Sequence, residues 1–218
     1  MTDKEKSIIA QAEEYVSGLF LHEATGHDIS HTLRVLKNAE SIQASEGGNL
    51  FLISLASLLH DADDIKLFPE EQGRLLHASA FSDKCGLKPT EKEAILQIIS
   101  EVSFKGQDTP SVPSSLEGKI VQDADRLDAL GALGIARAFA YGGAKGRKMY
   151  DPSLPPQLHM DEKQYRASQG TTINHFYEKL LLLPDLMNTQ AGKKAAERRK
   201  EYMVSFLEEF YAEWDGKK

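Results

Sequence analysis

One cysteine, Cys85, stands in a chain of 218 residues. That scarcity excludes an internal disulfide framework and any cysteine-based zinc site, and it fits a reducing compartment, the cytoplasm. Long apolar runs are missing as well: the longest, around "LFLISLASLL" at residues 50–59, falls far short of the roughly 20 residues that a bilayer span needs. The N-terminus "MTDKEKSIIAQAEEYV" lacks a basic segment followed by an apolar one, so no secretory signal is read there. Nor is there an excess of positive charge. The net charge is -7 with both signs interspersed, which gives no basic field for nucleic acid. Gly-rich phosphate loops, internal repeats, low-complexity tracts and alternating strand patterns are all absent. The expectation is a soluble cytoplasmic protein that partners neither membrane nor nucleic acid, and that holds any anionic ligand with a local cluster or a metal.

What the sequence does have is helical periodicity, with a hydrophobic fraction of 41% to sustain a core. Ile9, Ala12, Val16 and Leu19 mark one amphipathic face, closed off by Gly26. Asp28 caps a second helix with the stripe Ile29, Leu33, Leu36 and Ala39, ended by "EGGN". A third helix, from about Leu50, is apolar nearly all round and belongs at the centre; Pro69 and Gly73 mark the connection after it. Further helices are predicted from about Lys88 to Glu101 and from Ser114 onward, where Ser114 and Glu117 have capping-box spacing. The latter carries "KIVQDADRLDALGALGIARAFA", with Gly131 and Gly134 allowing close helix packing. "YGGAKGRKMYDPSLPPQLHMD" then reads as a long loop. After it come a helix striped by Ile173, Phe176, Tyr177 and Leu180, and a last one, about Gly192 to Trp214, packed through Met203, Phe206, Phe210 and Trp214. The architecture expected is an all-α helical bundle forming one domain over residues 1–218, with a core at about 20–140 and a C-terminal helical extension at about 160–214.

Polar residues intrude on these helices in register. His31, Arg34 and Asn38 share one stripe of the second helix, opposite its apolar face; Ser54, Ser57, Asp61 and Asp64 share one on the third, with His60 beside them. Asp125 and Asp128 lie one turn apart, and Thr172, His175 and Lys179 share another face. Uncompensated charge at the end of a core helix costs several kcal/mol or more. A divalent cation resolves that cost, and imidazole with carboxylate is a ligand set for Zn²⁺, Mn²⁺ or Fe²⁺. Two His and two Asp gathered from three helices leave coordination positions free for water and substrate, as in a catalytic site.

The ordered set His31, His60-Asp61 and Asp125 resembles the metal-binding signature of the HD-domain phosphohydrolase superfamily, an all-α group. The resemblance extends through "GHDISHTLRV", "LLHDADDIK", "SFKG", "VQDADRLDALGALGIARAFAYGG" and "NHFYEKLLLLPDLMNTQAGKKAAERR", and so to a bacterial subgroup of stand-alone HD hydrolases over nearly the whole chain. It implies that the domain is of HD type and that His31, His60, Asp61 and Asp125 are the metal ligands. "ADRL" is similar to the metal-binding aspartate segment of the stringent-response hydrolases. Asp64 matches the acidic residue that in related enzymes acts on the attacking water. Glu101 and Val102 stand where some two-metal relatives have a His, which argues for one divalent ion per chain and against the diiron oxygenase branch. Mn²⁺ is the first candidate, with Mg²⁺, Co²⁺, Ni²⁺, Fe²⁺ or Zn²⁺ as the others.

The implied activity is hydrolysis of a small phosphorylated substrate, foremost a nucleotide, by a nucleoside triphosphate pyrophosphohydrolase. The alternatives are a 5′-nucleotidase or other phosphomonoesterase and, from another class, a non-catalytic nucleotide- or metal-sensing module. Asp64 would serve as general acid or base, and Asp128, which shares a face with Asp125, is a second catalytic candidate unless it pairs with Arg126 or Arg137. Arg34 could fork to phosphate oxygens, and Lys66, Lys105, Lys145, Arg147 and Lys179 are further candidates to neutralise a polyphosphate. His22, His77 and His159 read as ordinary hydrogen-bonded histidines, and His27-Asp28 as a helix start. Asp63, by helical phase, reads as a solvated charge turned away from Asp64, and Asp123 as either a supporting acceptor or an exposed carboxylate. "KKAAERRKEY" is a solvated face.

Overall fold

The computed structural model describes residues 1–20, 29–63, 74–102, 112–158 and 170–218, and among them there is no strand. The helices are α1 (Asp3–Leu19), α2 (Ile29–Glu46), α3 (Leu50–Leu59), α4 (Leu76–Lys84), α5 (Pro89–Val102), α6 (Leu116–Asp128), α7 (Gly131–Ala144), α8 (Thr172–Glu178) and α9 (Gln190–Trp214), with a 3₁₀ helix at Leu180–Leu186. The all-α expectation is met. His22, His27, Asp28, Asp64, Lys66, Lys105 and His159 lie outside the described residues. Contacts divide the chain into two compact units, the first ending at Asp125 and the second running from Arg126 to Lys218.

In the first unit, α1 begins at a capping box in which Thr2 and Glu5 satisfy each other's backbone amides, and it buries Ile8, Ile9, Ala12 and Val16. The α2–α3 turn passes through Gly47 and Gly48 at φ 81° and 87°, where a side chain would strain the backbone. Asn49 then caps α3, accepting hydrogen bonds from the amides of Phe51 and Leu52 at 3.0 and 3.2 Å. As its composition predicts, α3 is central. Ile53, Leu55, Leu58 and Leu59 are fully buried, and each such burial contributes about 1.5–3 kcal/mol.

Several local expectations give way. The buried face of α2 is Val35, Leu36, Ala39 and Ile42 together with His31 and Thr32, so His31 does not oppose the apolar side but belongs to the interior. The buried surface of α4 is only Ala78, Phe81 and Ser82, too little amphipathicity to mark the helix in the sequence. The Ser114–Glu117 capping box does not form. Ser115 Oγ accepts the Gly118 amide at 3.0 Å, Ser114 is bound to the Glu101 carboxylate, and Glu117 accepts the Asn49 amide at 2.9 Å. Gln122, fully buried, donates to the carbonyls of Glu101 and Val102 and so satisfies the last turn of α5.

In the second unit, the helix expected to run from Ser114 through Ala140 is broken. Leu130 is extended at φ -116° and ψ 162°, and Gly131 has φ 69°. A Cβ at Gly134 would lie 2.1 Å from the Ala129 carbonyl, so that glycine serves the break rather than a neighbouring helix. The end of α6 draws arginines, as the carbonyl-rich end of a helix dipole should. Arg199 donates to the Leu127 carbonyl, and Arg137 to the Asp128 carbonyl at 3.3 Å. Beyond the break, Phe139, Phe176, Phe206 and Phe210 form one aromatic cluster, with centroids such as Phe176–Phe206 at 5.9 Å. Trp214 stacks on Phe210 yet is 50% exposed, so the buried stripe of α9 ends before it.

Candidate metal centre

Two of the expected ligands sit on helices, His31 on α2 and Asp125 on α6. The other two do not: α3 ends at Leu59, and His60 and Asp61 belong to the turn that follows it. Phase on a continuing third helix therefore does not apply to Asp61 or to Asp63. The turn closes through the Ala62 amide, which donates to the Leu59 carbonyl at 3.0 Å.

His60 has its tautomer fixed by a carbonyl. Nδ1 lies 2.8 Å from the Ser57 carbonyl, which can only accept, so Nδ1 carries a proton and, in the neutral ring that binds a metal, Nε2 is the nitrogen with the lone pair. That Nε2 is buried with no hydrogen-bond partner. It lies 3.5 Å from one Asp61 oxygen and 3.9 Å from Asp125. His31 Nε2 lies 3.4 Å from the other Asp61 oxygen and 3.4 Å from Asp125, and the imidazole rings meet edge to face at 5.3 Å. Asp61 thus turns one oxygen to each histidine.

Single donor atoms of His31, His60 and Asp125 all lie within 4.8 Å of one another. Two ligands held about 2.1 Å from a cation are separated by about 3.0–3.4 Å at octahedral to tetrahedral angles, so a small inward relaxation suffices for coordination. The donor set fits a divalent cation, and the partnerless Nε2 of His60 is the atom that most needs one. Side-chain exposure is 2% for His31, 4% for His60, 11% for Asp61 and 32% for Asp125, so solvent reaches the cluster at Asp125. Desolvation pushes the Asp125 carboxyl up, but in the cation-free cluster the hydrogen bond from His31, with the charge of either imidazole when it is protonated, outweighs it and holds the group well below the usual carboxylate range.

The other predicted residues have these surroundings. Arg34 is half-buried on α2, one turn beyond His31. Asp128, fully buried at the last position of α6, is ion-paired to Arg137 at 2.6 Å, the alternative that the sequence left open. Asp123 is fully buried, not exposed. Val102 is core and Glu101 binds Ser114. His77 is an ordinary hydrogen-bonded histidine, 3.2 Å from the Tyr15 hydroxyl.

In the second unit, Lys145 and Arg147 both lie over the Tyr141 ring, at 5.8 and 5.6 Å from its centroid. Burial, with the charges of Lys179 and Arg147, pushes His175 down to about 3. Two candidate cations, Lys179 and Arg147, thus lie near one neutral imidazole. Tyr141 escaped the sequence reading, although its i, i+4 spacing to Lys145 was there to find it. Asp63 escaped it too: its Oδ1 accepts the His77 amide at 2.7 Å and its Oδ2 the Ala78 amide at 3.0 Å. It is a bonded carboxylate, not a solvated bystander.

Comparison with known proteins matches residues 28–130 to the HD domain. The Bacillus subtilis protein YpgQ is 35% identical over 98% of this chain and 97% of its own. A crystal structure of a Bacillus thuringiensis HD-superfamily hydrolase superposes with a TM-score of 0.75 at 43% identity, covering 97% of this chain and 98% of that one. The structure of YpgQ in complex with ADP superposes with a TM-score of 0.73 at 32% identity, covering 94% and 97%.

Proposed function

The chain belongs to the HD-domain superfamily of hydrolases, and from that premise we propose that it is a divalent-metal-dependent phosphohydrolase acting on a nucleotide, with pyrophosphate release from a nucleoside triphosphate as its reaction. The observation that carries the reading is the partnerless Nε2 of His60, tautomer fixed, facing two carboxylates and a second imidazole. A nucleotide as ligand is supported by the ADP bound to YpgQ. In this proposal His31, His60, Asp61 and Asp125 hold one ion, for which Mn²⁺ is the first choice. The engagement of Glu101 by Ser114 and the burial of Val102 favour one ion over two.

When bound, the cation supplies Lewis acidity: it makes water a nucleophile at neutral pH and polarises a phosphoryl oxygen. The chain does the rest. Asp64 takes the proton of the attacking water or returns one to the leaving group. Arg34 offers its planar fork to phosphate oxygens, and Lys66, Lys105, Lys145, Arg147 and Lys179 neutralise the remaining charge of a polyphosphate. Positioning and neutralisation carry most of the catalysis in phosphoryl transfer. For Asp128 the ion pair with Arg137 favours a structural duty over a catalytic one.

Chromatography of a nucleotide panel incubated with Mn²⁺ tests the proposal. The expected products are a nucleoside monophosphate and pyrophosphate. Orthophosphate released from monophosphates alone would make the protein a nucleotidase, and binding without turnover would make it a sensing module.

A further inference from the structure

A turn that carries two metal ligands needs anchors, because unlike a helix it does not fix their register by itself. Two anchors of the 60–63 turn lead back to α3: the Ala62 amide on the Leu59 carbonyl and His60 Nδ1 on the Ser57 carbonyl. The forward anchor is Asp63. Its two oxygens take the amides of His77 and Ala78 at 2.7 and 3.0 Å. Those amides belong to the first turn of α4, where backbone donors are unsatisfied and the helix dipole is positive. No side chain of the residue that starts α4 can do this job, since Leu75 makes no capping bond and is held at φ 47°. The helix itself is well seated. Ala78 and Phe81 lie in the core, and Tyr15 of α1 reaches His77 with its hydroxyl and meets the Phe81 ring at 5.1 Å.

We propose that Asp63 is a positioning residue of the metal centre. Its carboxylate fastens the ligand-bearing turn to α4, and so holds His60 Nε2 and Asp61 where they meet His31 and Asp125. The inference rests on the metal-centre reading above. It requires a carboxylate. Two oxygens meet two parallel N–H donors, whereas an asparagine offers one acceptor and sets its own N–H₂ against the second donor.

Mn²⁺ titration calorimetry on the full chain tests it, using wild type, Asp63→Ala, Asp63→Asn and Asn49→Ala. The last variant loses the cap at the far end of α3 and controls for general destabilisation. Asp63→Ala should raise the Mn²⁺ dissociation constant about ten- to a hundredfold, the usual cost of losing a group that supports a ligand. Asp63→Asn should fall between it and wild type, and Asn49→Ala should bind like wild type. The visible absorption of the Co²⁺-loaded protein should change in the two Asp63 variants and not in Asn49→Ala. Wild-type affinity in a folded Asp63→Ala protein would overturn the proposal, and so would an equal loss in Asn49→Ala. If Asp63→Ala does not fold, Asp63→Asn decides: unchanged affinity overturns the proposal and weakened affinity supports it. A wild-type chain that takes up no divalent cation would sink both this inference and the metal reading beneath it.

Discussion

His60 and His175, one in each unit, show what surroundings do to the same imidazole. His60 faces carboxylates, and a backbone carbonyl fixes the proton on Nδ1, so Nε2 offers a lone pair into a cluster of negative charge. His175 is half-buried near Lys179 and Arg147, and desolvation with those charges keeps it neutral far into acid. The first unit therefore gathers groups that want a cation, and the second gathers cations. Charge of one sign, concentrated around a buried ring, marks a candidate ligand site in both cases. The chemistry expected of each is opposite.

The sharpest way to break the comparison is to remove the ring from the first cluster. His60→Ala should abolish Mn²⁺ uptake and lower turnover on the order of 10³-fold, as loss of a major electrostatic contribution does. Asp64→Asn should retain the metal and still lose about 10²- to 10⁴-fold in turnover, the range for general acid–base catalysis. Calorimetry and steady-state kinetics on the same preparations separate the two. Wild-type turnover in Asp64→Asn would remove that residue from the chemistry.

Next in size is the buried ion pair of the second unit. Asp128→Ala strands Arg137 without its carboxylate, and breaking such a pair costs about 3–5 kcal/mol. Urea unfolding should show it as a lowered midpoint. This pair also explains why the sequence left the role of Asp128 open. On one continuous helix Asp128 and Arg137 would stand about 13 Å apart at 1.5 Å per residue. The break at Leu130–Gly131 turns the chain so that their side chains meet, Arg137 Nη1 lying 2.6 Å from Asp128 Oδ2, and nothing in the periodicity of "DALGALGIARAFA" announces it. The metal cluster was legible for the opposite reason. His31, His60 and Asp125 are polar residues set into apolar helices or their ends, and that cost is visible in one dimension. Helical phase fails for Asp63 because the helix that would set it ends four residues earlier, at Leu59. The same holds for α4, whose three buried residues leave hardly a pattern to find.

The pH dependence of stability sharpens the comparison from the second unit. The folded pKa of His175 is near 3 and its ordinary value is 6.5. Between those values the unfolded chain binds a proton that the folded chain does not. The stability held above pH 6.5 is therefore lost as pH falls toward 3, by up to about 1.4 kcal/mol per pH unit, and levels off below that. His175→Gln should flatten this part of the profile in chemical unfolding measured from pH 7 to pH 4. An unchanged slope would place the acid sensitivity elsewhere.

The smallest effect is expected at Tyr141, and it asks whether the second cluster serves the substrate at all. The ring lies under Lys145 and Arg147, and such cation–π contacts at exposed positions are worth about 0.5–1 kcal/mol. Tyr141→Leu takes away the π face and leaves both charges in the chain. If the ring holds those cations where a polyphosphate meets them, KM for a nucleoside triphosphate should rise about two- to fivefold with kcat unchanged, the energy being lost equally from bound substrate and transition state. Tyr141→Phe keeps the ring face and should behave as wild type. If Tyr141→Leu leaves KM unmoved while Arg147→Ala raises it, the arginine reaches the phosphates without the ring. If neither moves it, the cationic cluster has no part in binding, and neutralisation of the polyphosphate falls to Arg34, Lys66 and Lys105.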